Sequence, residues 1–154
     1  MSLSEIITAD AIIPKLKAAS KKQALQEMSE IASKLTGIPD RQIFEVLLER
    51  ERLGTTGVGQ GIAIPHGKLA KLNRLYGVFA RLEQPVDFDS IDERPVDLIF
   101  LLLAPESAGA DHLKALAKVS RLLRDRKVCE KLRGTDSAEA IYALLTESIT
   151  HHAA

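Results

Sequence analysis

The run Leu98-Ile99-Phe100-Leu101-Leu102-Leu103-Ala104 is the strongest constraint on what this chain can become. Seven consecutive apolar residues give no alternation of inward and outward positions, so a strand built from them has to be covered on both faces. A membrane crossing needs roughly 20 such residues, so this run is far too short to span one. The expected fold is therefore a small sheet enclosed by helices, an α/β layout with one core. With 154 residues, the chain has the length of one ordinary domain, taken here as residues 1–154. Strand order stays open at this level.

The rest of the chain supplies both kinds of cover. Ala11 to Lys17 is a weak strand candidate interrupted by Pro14, which suits a sheet edge. Ser20 and Gln23 have capping-box spacing, and Leu25, Met28, Ile31, Ala32 and Leu35 follow at helical intervals until Gly37-Ile38-Pro39. Asp40 is the expected cap of a second helix carrying Ile43, Phe44, Leu47 and Leu48 and ending near Arg52. Tyr76 to Leu82 has strand character, and Glu83 to Arg94 is acidic and turn-like. From Asp111 the period is helical again, with Leu113, Leu116, Ala117 and Leu123 as the expected apolar side. A second capping-type box, Asp136 to Glu139, precedes Ile141, Leu144 and Leu145.

Charge narrows the function. Lys plus Arg number 21 and Asp plus Glu number 21, a balance unlike that of broad nucleic-acid or anionic-membrane binders. The single Cys129 can form no internal disulfide, which suits a reducing cytoplasm, and no signal-type leader or membrane span is expected.

Chemistry concentrates in Gly54 to Lys68, which holds five of the nine glycines and ends Ile64-Pro65-His66-Gly67-Lys68. Glycines at this density let a backbone approach a ligand closely. Two nucleotide loops can be excluded. A Rossmann fingerprint needs G-x-G-x-x-G after a strand, and here G-x-G-x-G follows a helix; a Walker A loop needs Ser or Thr after Gly-Lys, and Leu69 stands there. His66 remains, between Pro65 and Gly67. Neutral imidazole is a competent nucleophile near pH 7, able to form a covalent phosphoryl intermediate. A loop histidine that only hydrogen-bonds backbone would satisfy the same local pattern. His112 stands where the helix after Asp111 begins, and free N–H groups there suit an anion. Arg50 and Arg52 close the second helix ahead of the glycine loop, where either can reach a phosphate or simply face solvent and the helix dipole. Ile62, Ala63 and Ile64, beside His66, are expected to form an apolar docking patch for a partner protein.

The segments TTGVGQGIAIPHGK (55–68), PVDFDSIDERPVDLIFLLLAPE (85–106) and HLKALAKVSRLLRD (112–125) together resemble the IIA domains of the mannitol–fructose class of the phosphotransferase system. Within that class the likeness is strongest to the nitrogen-regulatory branch, and it runs from about Ile6 to Glu147. The resemblance implies a mixed β-sheet flanked by α-helices and a phosphoryl acceptor at His66. It implies supporting roles for His112 and for Arg50 rather than Arg52. The implied donor is an HPr-like protein charged from phosphoenolpyruvate, and no cofactor or metal is implied. His151 and His152, at a fraying terminus, are not expected to bind metal. Three outputs are compatible with this class: delivery to a sugar-specific IIB protein, regulation of target proteins by phosphorylation state, or a chemically silent module of an anion transporter. The presence of both His66 and His112 disfavours the last, and the free-standing domain favours regulation.

Overall fold

The computed structural model describes residues 2–153, with side chains from 2 to 146; those of His151 and His152 lie outside the described residues. Its centre is the apolar run, in strand β6 (Val96–Pro105), where every residue except Asp97 is buried. Both faces are therefore covered, as the unbroken run requires. One edge of β6 pairs antiparallel with β5 (Tyr76–Val86), which pairs parallel with β1 (Ile12–Leu16). β1 ends the sheet, so Pro14, which has no N–H to donate, stands on an edge as expected.

The other edge of β6 is shared by two short strands the sequence analysis missed, β3 (Ile62–Ala63) and β4 (His66–Leu69), both parallel to β6. Ile62 faces Leu98, Ala63 faces Ile99, and His66 faces Leu102, so one register runs through both strands. Ile64 and Pro65 interrupt the ladder, but Leu102 N–H still donates to the Pro65 carbonyl (2.9 Å). His66 is thus fixed by the sheet itself rather than carried on a free loop. A further strand, β2 (Gly57–Gly59), forms a hairpin with β3 and ends the sheet.

Helices α1 (Lys21–Thr36) and α2 (Asp40–Leu53) pack on each other, with α1 against β5 and α2 against β4. Ser20 caps α1 as expected, its hydroxyl accepting from Gln23 N–H, while the Gln23 side chain accepts from Ala19 N–H. Asp40 is not the cap of α2. Pro39 occupies that position, and the Asp40 carboxylate accepts from Gln26 of α1 instead. A second helical group comprises α3 (Ala110–Leu123), α4 (Arg126–Arg133) and α5 (Ala138–Ala153). The break between α3 and α4 was not anticipated; Asp125 caps α4 through Lys127 and Val128 N–H. Ser137, not Asp136, caps α5, and Asp136 pairs with Lys15.

The expected apolar side of α3 needs correction. Its buried side runs through His112, Ala115, Val119, Leu122 and Leu123, whereas Leu113 is 69% exposed and Ala117 faces solvent. Leu123 belongs to both sets, and Leu116 is half-buried and packs against the core. A polar residue therefore occupies the first inward position of this helix, and apolar counting passes over it. Among the described residues no helix is long and apolar enough to cross a membrane.

Candidate functional site

Three glycines of the 54–67 segment, Gly57, Gly61 and Gly67, stand where neighbouring side chains leave no room for a Cβ. A side chain at Gly57 would strike Ser90, one at Gly61 would strike Arg133 and Asp97, and one at Gly67 would lie 2.5 Å from Val46 Cγ1 of α2. Gln60 and Gly61 both have positive φ (58° and 82°), the conformation of the tight turn joining β2 to β3. The Gln60 N–H is held by Asp92, and its carbonyl by Arg133. Gly67 has a different use: without a Cβ it lets α2 lie directly over β4, which brings Arg50 to His66.

Arg50 Nε donates to His66 Nε2 at 3.2 Å, and its Nη1 donates to the Gly54 carbonyl at 2.8 Å. A guanidinium only donates, so Nε2 is the accepting nitrogen. The hydrogen of the neutral ring then sits on Nδ1, which donates to the Ile64 carbonyl at 2.9 Å. The backbone thereby fixes the tautomer and leaves the lone pair on Nε2, where Arg50 holds it. Arg52 is exposed and lines the same cavity, but among the described residues it is Arg50 that donates to His66. The structure brings together His66, His112 and Arg50, drawn from β4, α3 and α2.

The His112 ring lies 5.7 Å from that of His66, with the planes at 62°. His112 is only 7% exposed, and its Nε2 has no hydrogen-bond partner among the described residues. A buried polar atom left unpaired carries a desolvation cost. Burial is also the main influence holding both imidazoles below the usual histidine value of 6.5. At His66 the Ile64 hydrogen bond and the Glu51 charge oppose that shift while Arg50 adds to it. At His112 the nearby His66 and Lys68 add to it. Both rings are therefore neutral at pH 7.

These groups line an open cavity of about 600 Å³ together with Val46, Glu49, Arg52, Leu53, Gly67 and Lys68. Its exposed apolar rim is Leu53 (86% exposed). The docking patch expected at Ile62, Ala63 and Ile64 does not exist: all three are buried in the core, because β3 and its extension belong to the sheet. Among the described residues no group of three His, Cys, Asp or Glu side chains could hold a metal ion. Cys129 is buried, with its Sγ near the Leu123 carbonyl.

One further group was not foreseen. Glu51 is buried at the end of α2, forms an ion pair with Lys21 (2.8 Å), and accepts from both the N–H and the hydroxyl of Thr56. Only its place inside a helix otherwise ending in charge marks it in the sequence, and that signal is weak.

The fold is a single domain with a mixed sheet between two helical groups, and comparison with known proteins gives its family. The chain belongs to the family described as phosphoenolpyruvate-dependent sugar phosphotransferase system, EIIA 2, which matches residues 5–148. It is similar to the nitrogen regulatory protein of Bradyrhizobium diazoefficiens, with 59% identity over 94% of this chain and 95% of that protein. The crystal structure of nitrogen regulatory protein IIA-Ntr from Neisseria meningitidis superposes with a TM-score of 0.89 at 38% identity, covering 94% of this chain and 99% of that one. The fructose-specific EIIA component of Haloferax volcanii is also similar, at 37% identity over 85% of this chain and 86% of that protein.

Proposed function

We propose that this chain is a cytoplasmic phosphoryl carrier of a phosphoenolpyruvate-dependent relay, charged on His66 Nε2 by an HPr-like protein, with regulation as its output. The observation that carries this reading is the juxtaposition at Nε2: a neutral nucleophile with its tautomer fixed, a guanidinium beside it, and a buried unpartnered imidazole nitrogen opposite.

In the step itself, the Nε2 lone pair attacks phosphorus and forms a P–N bond. The bond between phosphorus and the donor breaks, and its electron pair leaves with the donor. His66 keeps its Nδ1 proton, so it becomes positively charged on the ring as the phosphoryl group arrives. The Ile64 carbonyl stabilises that charge. Arg50 must release Nε2 and turn its planar donor set to the phosphoryl oxygens. His112 would lie within reach of those oxygens, giving its buried nitrogen a partner. Phosphoryl transfer is catalysed chiefly by positioning and charge stabilisation, and these groups supply both.

The regulatory output is supported by the likeness to the Bradyrhizobium diazoefficiens nitrogen regulatory protein, which is much greater than that to the Haloferax volcanii fructose component. The latter likeness favours a second reading, a fructose- or mannitol-type IIA that hands its phosphoryl group to a IIB protein. Incubation with phosphoenolpyruvate, enzyme I-type and HPr-type proteins should add one acid-labile, base-stable phosphoryl group. Regulation is then read from target proteins whose binding changes with phosphorylation. Rapid discharge to a IIB protein, with no state-dependent target, would instead establish the transport reading.

A further inference from the structure

The His66 tautomer rests on a continuous line of hydrogen bonds that ends on a buried charge. His66 Nδ1–H donates to the Ile64 carbonyl (2.9 Å), Ile64 N–H donates to the Thr56 carbonyl (3.0 Å), and Thr56 donates to Glu51 through its N–H (3.2 Å) and its hydroxyl. Every donor in the line points toward the carboxylate. Each bond orients the residue that makes the next, so the Glu51 carboxylate holds the Ile64 carbonyl in place through the backbone of Thr56.

The carboxylate itself is firmly held. Its side chain is 3% exposed, and Lys21 Nζ lies 2.8 Å from Oε2. Lys21 also reaches the Phe88 carbonyl and Asp89, so Glu51 joins the start of α1, the end of α2 and the loop following β5. Arg50 is the preceding residue on α2, and it donates to the Gly54 carbonyl in the same turn. Glu51 therefore fixes the chain segment that carries Arg50, its neighbour in sequence, and orients the His66 ring through the backbone of Thr56 and Ile64.

We propose that Glu51 is a positioning residue for phosphoryl transfer, holding His66 in the Nδ1–H tautomer through Thr56 and Ile64. It touches neither the phosphoryl group nor the reacting nitrogen. The kinetic part of this proposal rests on His66 being the phosphoryl acceptor; the tautomer part does not.

Two substitutions separate geometry from mere stability. Glu51→Gln can keep the line intact, its amide oxygen accepting from Thr56 N–H and Lys21 while its NH2 donates to the Thr56 hydroxyl. Glu51→Ala removes the anchor. The tautomer is read by 15N NMR of His66 in the unphosphorylated protein at about pH 8, where the ring is neutral. Wild type and Glu51→Gln should show Nδ1–H, and Glu51→Ala a mixture of both tautomers. The maximal phosphorylation rate of Glu51→Ala should fall by about 10- to 100-fold, the scale of a misplaced reacting group, with the KM for the donor unchanged. Glu51→Gln should recover most of that loss. A Glu51→Ala protein with wild-type tautomer and rate, altered only in melting temperature, overturns the proposal. If Glu51→Ala does not fold, Thr56→Val decides. It removes the hydroxyl donor, and an unchanged tautomer ratio there overturns the proposal as well. Should labelling persist in His66→Ala, the acceptor assignment falls while the tautomer measurement still judges Glu51.

Discussion

Arg50 and His112 occupy different electrostatic positions although both flank His66. Arg50 already donates to Nε2, so its task is to follow the charge from the lone pair to the phosphoryl oxygens. Arg50→Ala should slow phosphoryl transfer by about 100- to 1000-fold, the usual loss for one electrostatic donor, as measured by rapid-quench labelling. Lysine at this position would restore charge but not the planar pair of donors, and recovery should be partial. His112 fills an inward position on α3, so His112→Gln is the informative change and His112→Ala would also open a cavity.

The depressed imidazole pKa values set a direction for pH dependence. Between the folded and the ordinary value, the unfolded chain binds more protons than the folded one, so stability rises with pH across that window. Their contribution is complete above about pH 6.5 and is lost as pH falls through the lower folded values. Melting temperatures followed from about pH 7.5 down to about pH 5.5 should fall, and less steeply in a His66→Ala, His112→Gln double variant. Phosphoryl acceptance should fail at a lower pH than an ordinary imidazole would allow, because burial holds His66 below the usual histidine value.

At the scale of elements, the contact of α2 with β4 determines whether the site forms. Gly67→Ala places a Cβ 2.5 Å from Val46 Cγ1, and the branched Val46 side chain has little rotamer freedom in a helix. The substitution should cost about 1–3 kcal/mol in chemical denaturation, and a Val46→Ala background should relieve most of it. This scale also shows what a sequence can and cannot disclose. β6 was legible because seven apolar residues have only one sheet environment available, and α1 because Ser20 and Gly37 mark its ends. β3 and β4 were not legible: two and four residues long and separated by Ile64 and Pro65, they are strands only because β6 offers them an edge. The inward side of α3 was misassigned because it begins with a histidine that burial keeps for the site, while Leu113 faces outward. Position 66 stood out through its Pro-His-Gly setting. The Glu51–Thr56–Ile64 line could not, because it depends on a turn of the chain that only the fold creates.

For the whole molecule, a neutral overall charge leaves recognition to local surface. Leu53 stands out from the rim of the cleft, an arrangement suited to reversible docking of a donor beside Nε2. Leu53→Asp should raise the KM for the donor by about tenfold while leaving the saturated rate near wild type. Charging His66 adds about 1.5 to 2 negative charges, by analogy with other phosphorylated residues, in the cavity that Leu53 lines. A partner that buries the rim against the free protein must then bury that charge, which costs free energy unless the partner supplies cations. The same surface accordingly selects different partners in its two states.

The central claim is that the phosphoryl group is accepted on Nε2 of His66, and 15N–31P correlated NMR of the phosphorylated protein tests it most directly. The predicted result is a single phosphorus–nitrogen coupling to His66 Nε2, with Nδ1 retaining its proton, and no phosphoryl incorporation in His66→Ala. Coupling to Nδ1, or a phosphoryl group retained elsewhere in His66→Ala, would contradict it.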